Sequence, residues 1–231
     1  MYTVPLRMSY ARFMFYVQYK KCLLQIFHTD CGKNFTVLFL VDTARDVGSD
    51  NLKRQIEFII SVASTINFNH IAVISYATKA EVIITPGQAS NFSEFAQTLR
   101  EANYSLDHLK NLGKAFEKAQ EISHLFTASK AGITVAMISG KSHDDPAPPA
   151  TDLKKRGVTI VAIVFTGAGY SMVQVSLFVS KPDTDHIVTT EFSSLKHSVN
   201  IARDAICKGE VYQTPKRIVT RISSKAESLH S

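Results

Sequence analysis

The sequence predicts an α/β domain in which helices cover both faces of a mostly parallel β-sheet. The first observation is that apolar runs of strand length alternate along the chain with segments whose apolar residues recur at helical spacing. The second is that these runs are continuous and rich in β-branched residues, which is typical of strands buried on both faces. Such an alternation of strand and helix is the pattern of α/β folds with parallel sheets.

The elements of the amino-terminal half are predicted from the spacing of their apolar residues. The run at 35–41 (FTVLFLV) is short and continuous, which favours a buried strand over a helix. Ser49 and Asp50 then offer a cap for an amphipathic helix. Two further strands, at 70–77 (HIAVISYA) and 81–85 (EVIIT), are joined by so short a link that they must be antiparallel, which makes one of them an edge strand.

The remaining elements repeat the same alternation. In order, they are helices at 92–99 and 109–126, a strand at 133–139, a short helix ending before Gly157, a strand at 158–165, a helix at 172–179, a weak strand at 186–189 and a helix at 193–206. Residues 143–151 (HDDPAPPAT) are predicted as a proline-rich surface loop decorated by Asp144 and Asp145.

The candidate site lies in three loops. In folds of this kind, ligands bind at loops beyond the carboxyl ends of the parallel strands, near the point where strand order switches. The loops to consider therefore follow Val41, precede Leu112 and follow Ser139.

Motifs of catalysis and cofactor binding are not found in the sequence. Ser142, His143 and Asp144 are adjacent, whereas a catalytic triad is assembled from separated segments. No Gly-x-Ser-x-Gly elbow follows a strand. Residues 166–170 (TGAGY) lack the full Gly-x-Gly-x-x-Gly spacing of a nucleotide site and favour a simple turn. We therefore predict that the protein is not an enzyme.

The basic charge of the chain lies in its two ends. The net charge is +6, but residues 1–30 carry four Lys/Arg against one acid, residues 208–231 carry five against two, and residues 31–207 carry 17 of each sign. No nucleic-acid-binding motif accompanies this charge, so no nucleic-acid partner is predicted. No run approaches the ~18 apolar residues of a membrane span. Residues 1–30 are aromatic-rich but broken by charges, so they give no clear signal peptide.

Several segments, in this order and spacing, resemble the von Willebrand factor A domains, and most closely those of the type VI collagen chains of the alpha-4-like kind. They are FTVLFLVDTARD, HIAVISYA, LKNLGKAFEKA, ITVAMISGKS and GVTIVAIVF. The resemblance covers residues 31–207, which leaves 1–30 as an aromatic, basic segment and 208–231 as a basic flexible tail. It implies a six-stranded, doubly wound, Rossmann-like sheet with helices on both faces.

The resemblance also implies a metal-ion-dependent adhesion site (MIDAS). The family pattern is Asp-x-Ser-x-Ser after the first strand, a Thr in the second loop and an Asp after the fourth strand. Asp42 matches the first position, whereas Ala44, Asp46, Lys110 and Gly140 stand where the other ligands belong. Magnesium wants oxygen ligands, so we expect a degenerate site that holds no cofactor, with magnesium only if the remnant still binds it.

A lysine is expected to take the place of the ion. We predict that Lys110, Lys114 or Lys141 pairs with Asp42 or Asp46, because an ammonium group neutralises carboxylates and disfavours a nearby cation. The alternative is that these groups are solvated loop charges.

The cysteines are interpreted through the resemblance. Many relatives join the ends of the domain by a disulfide, and Cys31 and Cys207 stand where that bond would be. In a reducing compartment the two would instead be free thiols. Cys22 is left free or pairs between chains.

The function that the resemblance implies is a secreted glycoprotein module of the extracellular matrix, binding matrix or other proteins in cell adhesion. Three N-glycosylation sequons, at Asn34, Asn91 and Asn103, agree with secretion. Two alternatives stay open. One is an intracellular nucleotide- or phosphate-binding α/β protein, and the other is a truncated, non-functional product of a collagen VI-like gene.

Overall fold

A six-stranded sheet forms the centre of the protein. The computed structural model describes residues 35–125, 131–167 and 169–213. The strands are β1 (Phe35–Asp42), β2 (Ile71–Tyr76), β3 (Ala80–Ile84), β4 (Ala131–Ile138), β5 (Val158–Phe165) and β6 (Ile187–Thr190). Their spatial order is β3-β2-β1-β4-β5-β6. Strand order therefore switches at β1, which lies between β2 and β4.

The strand directions confirm the predicted fold class. Strand β1 pairs in parallel with β2 and β4, and β5 pairs in parallel with β4 and β6. Strand β3 pairs with β2 in the antiparallel direction and forms one edge of the sheet. The short link between the second and third predicted strands is thus the one that reverses the chain, as expected.

Helices follow the strands on both faces. They are α1 (Ser49–Ala63), α2 (Phe92–Glu101), α3 (Leu112–Ile122), α4 (Ala147–Lys155), α5 (Met172–Phe178), α6 (Asp183–His186) and α7 (Val199–Gln213). A 3-10 helix, Phe192–Ser198, leads into α7. Within the described ranges, none of the helices combines the length and the apolarity that crossing a lipid bilayer requires.

The sheet separates two hydrophobic cores. Along β1, Val37 and Phe39 point into a core shared with α1, α2 and α7. Leu38 and Leu40 point into the opposite core, which is shared with α3, α4 and α5. This alternation follows from the two-residue period of a strand, and it explains why β1 is apolar apart from Thr36 and Asp42.

The beginning of α1 differs from the prediction. Ser49 and Asp50 were expected to cap this helix, but both lie inside it and the N-cap position is Gly48, which makes no side-chain cap hydrogen bond. The backbone of Gly48 has a φ of 76°, a conformation that glycine adopts without steric cost. The chain therefore turns into α1 through glycine rather than through a polar cap.

Three other boundaries differ as well. Helix α4 begins inside the predicted loop at 143–151, because proline is tolerated in the first helical turn, where its missing N–H needs no partner. Helix α3 begins later than predicted, at Leu112. Helix α7 continues to Gln213, beyond the predicted end at 206 and into the segment expected to be a flexible tail.

Candidate functional site

The three loops chosen from the sequence meet at one edge of the sheet. Strands β1 and β4 are parallel neighbours, so the residues that end them lie side by side. Asp42 is the last residue of β1, and Ser139 is the first residue after β4. Lys110, from the loop before α3, reaches the same place. All three are buried, with exposed fractions of 0%, 4% and 5% for Asp42, Ser139 and Lys110.

The ammonium group of Lys110 lies among three oxygen-bearing side chains. Its Nζ lies 3.5 Å from Asp42 Oδ2 and forms an ion pair with Asp46 Oδ1. It also donates a hydrogen bond to Ser139 Oγ at 3.1 Å. Lys110 Nζ thus donates hydrogen bonds to Asp46 and Ser139 and lies close enough to Asp42 to form an ion pair. The expected pairing of a lysine with Asp42 or Asp46 is therefore made by Lys110, which lies beside both carboxylates.

Asp42 is held from several directions. Its Oδ1 accepts the backbone N–H of Ala44 at 3.0 Å, and its Oδ2 accepts the hydroxyl of Ser139 at 2.5 Å. Burial raises the pKa of Asp42 above its ordinary value, and Lys110, Ser139 and Ala44 each offset part of that rise. The charge of this buried carboxylate thus depends on its neighbours, and Lys110 is the strongest of the groups that favour it.

The backbone around Asp42 is fixed by two longer-range hydrogen bonds. The side chain of Gln55, in α1, donates to the Asp42 carbonyl at 3.0 Å. The backbone N–H of Arg45 donates to the Asp107 carbonyl at 2.7 Å, which ties the β1–α1 loop to the loop before α3. The loops that carry Asp42 and Lys110 are therefore held to each other independently of the ion pair.

Ser139 is a site residue that sequence reasoning missed. The predicted strand included Ser139 and placed Gly140 at the site, but β4 ends at Ile138 and Ser139 is the side chain that reaches Asp42. Gly140 is buried but has no side chain to contribute. Ser139 would have been selected from the sequence only if the predicted strand had ended one residue earlier, at Ile138.

The other two candidate lysines do not occupy this position. Lys114 is exposed, and its Nζ donates to the Thr78 carbonyl at 3.2 Å. Lys141 is exposed in the loop after β4. Of the three lysines considered from the sequence, Lys110 alone is placed between the carboxylates of Asp42 and Asp46.

The cluster Ser142–His143–Asp144 supports the loop that carries Lys110. The backbone N–H of Lys110 donates to His143 Nδ1 at 3.0 Å, and the backbone N–H of His143 donates to the Lys110 carbonyl at 2.8 Å. Asp144 accepts the backbone N–H groups of Gly113 at 2.8 Å and Lys114 at 2.9 Å. Asp144 was expected to decorate a surface loop, but it satisfies the free amino-terminal N–H groups of α3 instead.

This cluster is not arranged as a catalytic triad. The hydroxyl of Ser142 lies 2.6 Å from Asp144 Oδ1, so it bonds the carboxylate directly rather than through a histidine. The Nδ1 of His143 is already occupied by the Lys110 amide. A triad needs the histidine between the hydroxyl and the carboxylate, and here it lies elsewhere.

We predict that Gly113→Ala destabilises the protein by about 1–3 kcal/mol, because it forces a side chain into a filled space. A Cβ at this position would lie 2.8 Å from both Asp144 Oδ2 and the Asp145 carbonyl oxygen. On an open helix the same change would stabilise. Chemical denaturation measures the difference, with Glu117→Ala as the control, since Glu117 is exposed on the same helix. An unchanged or higher stability for the glycine variant would contradict the close packing of Asp144 on α3.

The remaining sites from the sequence are separate from this cluster. Asn91 is exposed at the N-cap of α2, where its Oδ1 accepts the Glu94 N–H, and Asn103 is exposed in the following loop. Cys207 lies half-buried in α7. The third sequon asparagine and the other two cysteines, Asn34, Cys22 and Cys31, lie outside the described residues.

Solved structures share this fold. The structure of proximal thread matrix protein 1 from the mussel byssus matches with a TM-score of 0.70 at 18% identity, covering 77% of this chain and 49% of that one. Another structure of the mussel protein, with a zinc-occupied MIDAS motif, matches with a TM-score of 0.65 at 16% identity over 77% of this chain and 47% of that one. At these identities the likeness shows the fold alone.

Relatives are found among curated sequences as well. Cuticlin-6 of Caenorhabditis elegans is 26% identical over 141 residues, which is 58% of this chain and 24% of the relative. The collagen alpha-5(VI) chain of Mus musculus is 27% identical over 216 residues, which is 88% of this chain and 8% of the relative. The chain thus spans less than a quarter of the length of either relative.

The family is established by a profile that covers most of the chain. The profile of the von Willebrand factor type A domain matches residues 36–200, which include all six strands except Phe35, together with the loops around Asp42, Lys110 and Ser139. The chain therefore belongs to the von Willebrand factor type A domain family.

Proposed function

We propose that the protein is a non-enzymatic, protein-binding module of the extracellular matrix whose partner binding needs no divalent ion. The relatives support the matrix setting, since they include a collagen and a cuticlin. One observation carries the metal-independent part of the proposal. The ammonium group of Lys110 lies beside Asp42 and Asp46, at the loops where the family pattern places a metal.

The residues present do not suit a divalent ion. Hard cations such as magnesium need several oxygen ligands in fixed geometry, whereas one of the groups around Asp42 is a cation. Two like unit charges about 4 Å apart repel by ~4 kcal/mol at an effective dielectric constant of ~20, and a divalent ion doubles this. A metal would therefore have to displace Lys110.

Capture of matrix proteins on the immobilised chain tests the function. We expect the same partners to be retained from a matrix extract with and without a chelator, because Lys110 is part of the chain and cannot be removed by one. Asp46→Asn serves as a matched variant that weakens the ion pair at its exposed end. Loss of the captured proteins on adding the chelator would overturn the metal-independent part, and capture of nothing above a blank surface would overturn the binding function.

Calorimetric titration tests the ion directly. We expect no saturable heat when magnesium or manganese is added to the purified chain, because binding would require breaking the contacts of Lys110 with Asp42 and Ser139. Saturable binding in the micromolar range would show that Lys110 moves aside and that the remnant site still works.

Secretion and the disulfide are part of the same proposal. We propose that Cys207 forms a disulfide with Cys31, which leaves Cys22 for a contact between chains; the bonded sulfur of Cys207 supports this pairing. Glycans on Asn34, Asn91 and Asn103 would agree with this route, and Asn91 and Asn103 are exposed. Alkylation with and without reductant, followed by peptide mass mapping, is expected to find Cys31 linked to Cys207. Three alkylated thiols without reductant would argue for a reducing compartment.

A further inference from the structure

A groove separate from the site around Asp42 and Lys110 is lined by cationic side chains that take no part in that site. It lies between α1 and the 3-10 helix that precedes α7, and it has a volume of about 490 Å³. Three cationic and three apolar side chains line it, namely Lys53, Arg54 and Lys196 together with Phe58, Phe192 and Leu195. None of the residues that surround Asp42 belongs to it.

The cations of the groove are not used by the fold. Lys53, Arg54 and Lys196 are exposed, and in the part of the chain that the structure describes their side chains form neither an ion pair nor a hydrogen bond. Glu57 also lines the groove, but Arg100 holds both its carboxylate oxygens, with contacts of 2.6 and 2.9 Å. Because Glu57 is already neutralised, the groove presents three uncompensated positive charges.

The floor of the groove is apolar and firmly packed. Phe58 and Leu195 are each 2% exposed, so they belong to the core and only their edges reach the groove. The ring of Phe192 stacks on Phe165 with a centroid separation of 3.9 Å. A ligand that uses both features would seat an apolar group on the floor and place anions on the rim.

The occupant is not expected to come from this chain. The segments outside the described ends are basic, with five Lys/Arg against one acid in residues 1–34 and four against one in 214–231. Such segments would be repelled by the groove. A sulfated polysaccharide could satisfy the cations, but it has no apolar side chain to cover Phe192. An acidic peptide segment satisfies both.

We propose that this groove binds an acidic segment of a partner protein, with an aromatic or aliphatic side chain on Phe192 and carboxylates paired with Lys53, Arg54 and Lys196. The proposal rests on the proposed function as a metal-independent protein-binding module, and it names the chemistry of the partner. Exposed charge pairs are individually weak, so recognition depends on several of them acting together with the apolar contact.

Fluorescence anisotropy with the whole chain tests the groove. The probe is a short labelled peptide with one phenylalanine flanked by glutamates, and a second peptide carries serine in place of the phenylalanine. We expect the combined variant Lys53→Gln, Arg54→Gln and Lys196→Gln to bind the first peptide about tenfold more weakly. Ser193→Trp, which fills the groove from an exposed position, is expected to abolish binding. The control removes three exposed or partly exposed cations elsewhere, namely Lys79, Lys118 and Lys155, each changed to glutamine.

Each outcome decides the proposal. Weaker binding by the groove variants alone, together with weaker binding of the serine peptide, supports an acidic peptide with an apolar anchor. Equal losses in the control variant would show unspecific charge attraction and overturn it. Binding of a sulfated polysaccharide in competition with the peptide, with no effect of the phenylalanine, would overturn the choice of partner. The peptide experiment uses no chelator and no matrix extract. The groove proposal can therefore be overturned while metal-independent capture of matrix proteins is still observed.

Discussion

Lys110→Met is expected to lower the free energy of unfolding by about 3–5 kcal/mol at neutral pH, because it leaves a buried carboxylate without its counter-charge. Asp42 is fully buried, and Lys110 is the strongest group that offsets the effect of that burial on its pKa. Methionine resembles the apolar stem of lysine in length, so the packing of the stem is kept. The loss of stability therefore measures the contribution of the ammonium group. Urea unfolding followed by circular dichroism gives the difference.

The effect should depend on pH in a defined direction. The pKa of Asp42 in the folded state lies above its ordinary value of 3.8, so the folded protein holds this proton more tightly than the unfolded chain does. The contribution of Asp42 to the free energy of unfolding therefore falls as the pH rises from about 3.8 through the folded-state pKa. Removing Lys110 raises that pKa further. The loss of stability in Lys110→Met should thus be small in acid, where Asp42 is protonated in the folded and the unfolded state. It should grow as the pH rises.

Two controls distinguish this effect from a general loss of lysine. Lys114→Met removes an exposed lysine four residues away and is expected to change stability by less than about 0.5 kcal/mol. Adding Asp42→Asn to Lys110→Met removes the stranded charge and should recover part of the stability. If the Lys110 and Lys114 variants unfolded alike at every pH, Lys110 would not be the counter-ion of Asp42.

The fold was predictable because its signals are local and repeated. The continuous apolar strands and the helical spacing between them specify both the two-sided burial of β1 and the alternation of elements. The brief link before β3 specified the antiparallel edge. The boundaries that were wrong depended on subtler information. Helix α4 begins in a proline-rich segment whose composition predicts a loop. Helix α1 begins after a glycine with positive φ rather than after a polar cap.

The site was predictable in its loops but not in all its residues. Asp42 and Lys110 could be selected because the family resemblance assigns ligand positions to the loops at the ends of particular strands. Ser139 could not, since its contact with Asp42 depends on where β4 ends to within one residue. The support that Asp144 and His143 give to the loop of Lys110 depends on contacts about thirty positions apart in the sequence, which no local pattern reports.

Restoring the ligands that the family pattern implies is expected to restore metal binding. The variant combines Ala44→Ser, Lys110→Thr and Ser139→Asp, and so replaces the ammonium group by a hydroxyl and adds a carboxylate. The carboxylate is placed at Ser139 rather than at Gly140, because Ser139 is the residue whose side chain contacts Asp42. The Oγ of Ser139 lies 2.5 Å from Asp42 Oδ2, so an aspartate there would bring two buried carboxylates together. Their repulsion destabilises the protein until a cation lies between them.

The test of the restored site has a strict control, because Lys110 can be kept while the other two changes are made. The full variant should show saturable heat with manganese and a stability that rises with its concentration, by ~2.7 kcal/mol when the free ion exceeds its dissociation constant about 100-fold. The variant with Ala44→Ser and Ser139→Asp alone should show neither, since the ammonium group would pair with the new carboxylate. Equal manganese binding by both variants would mean that Lys110 is no barrier to the ion. Absence of binding in both would mean that the loops around Asp42 have lost the metal geometry itself, and that more than the charge of Lys110 separates this chain from a metal-binding domain.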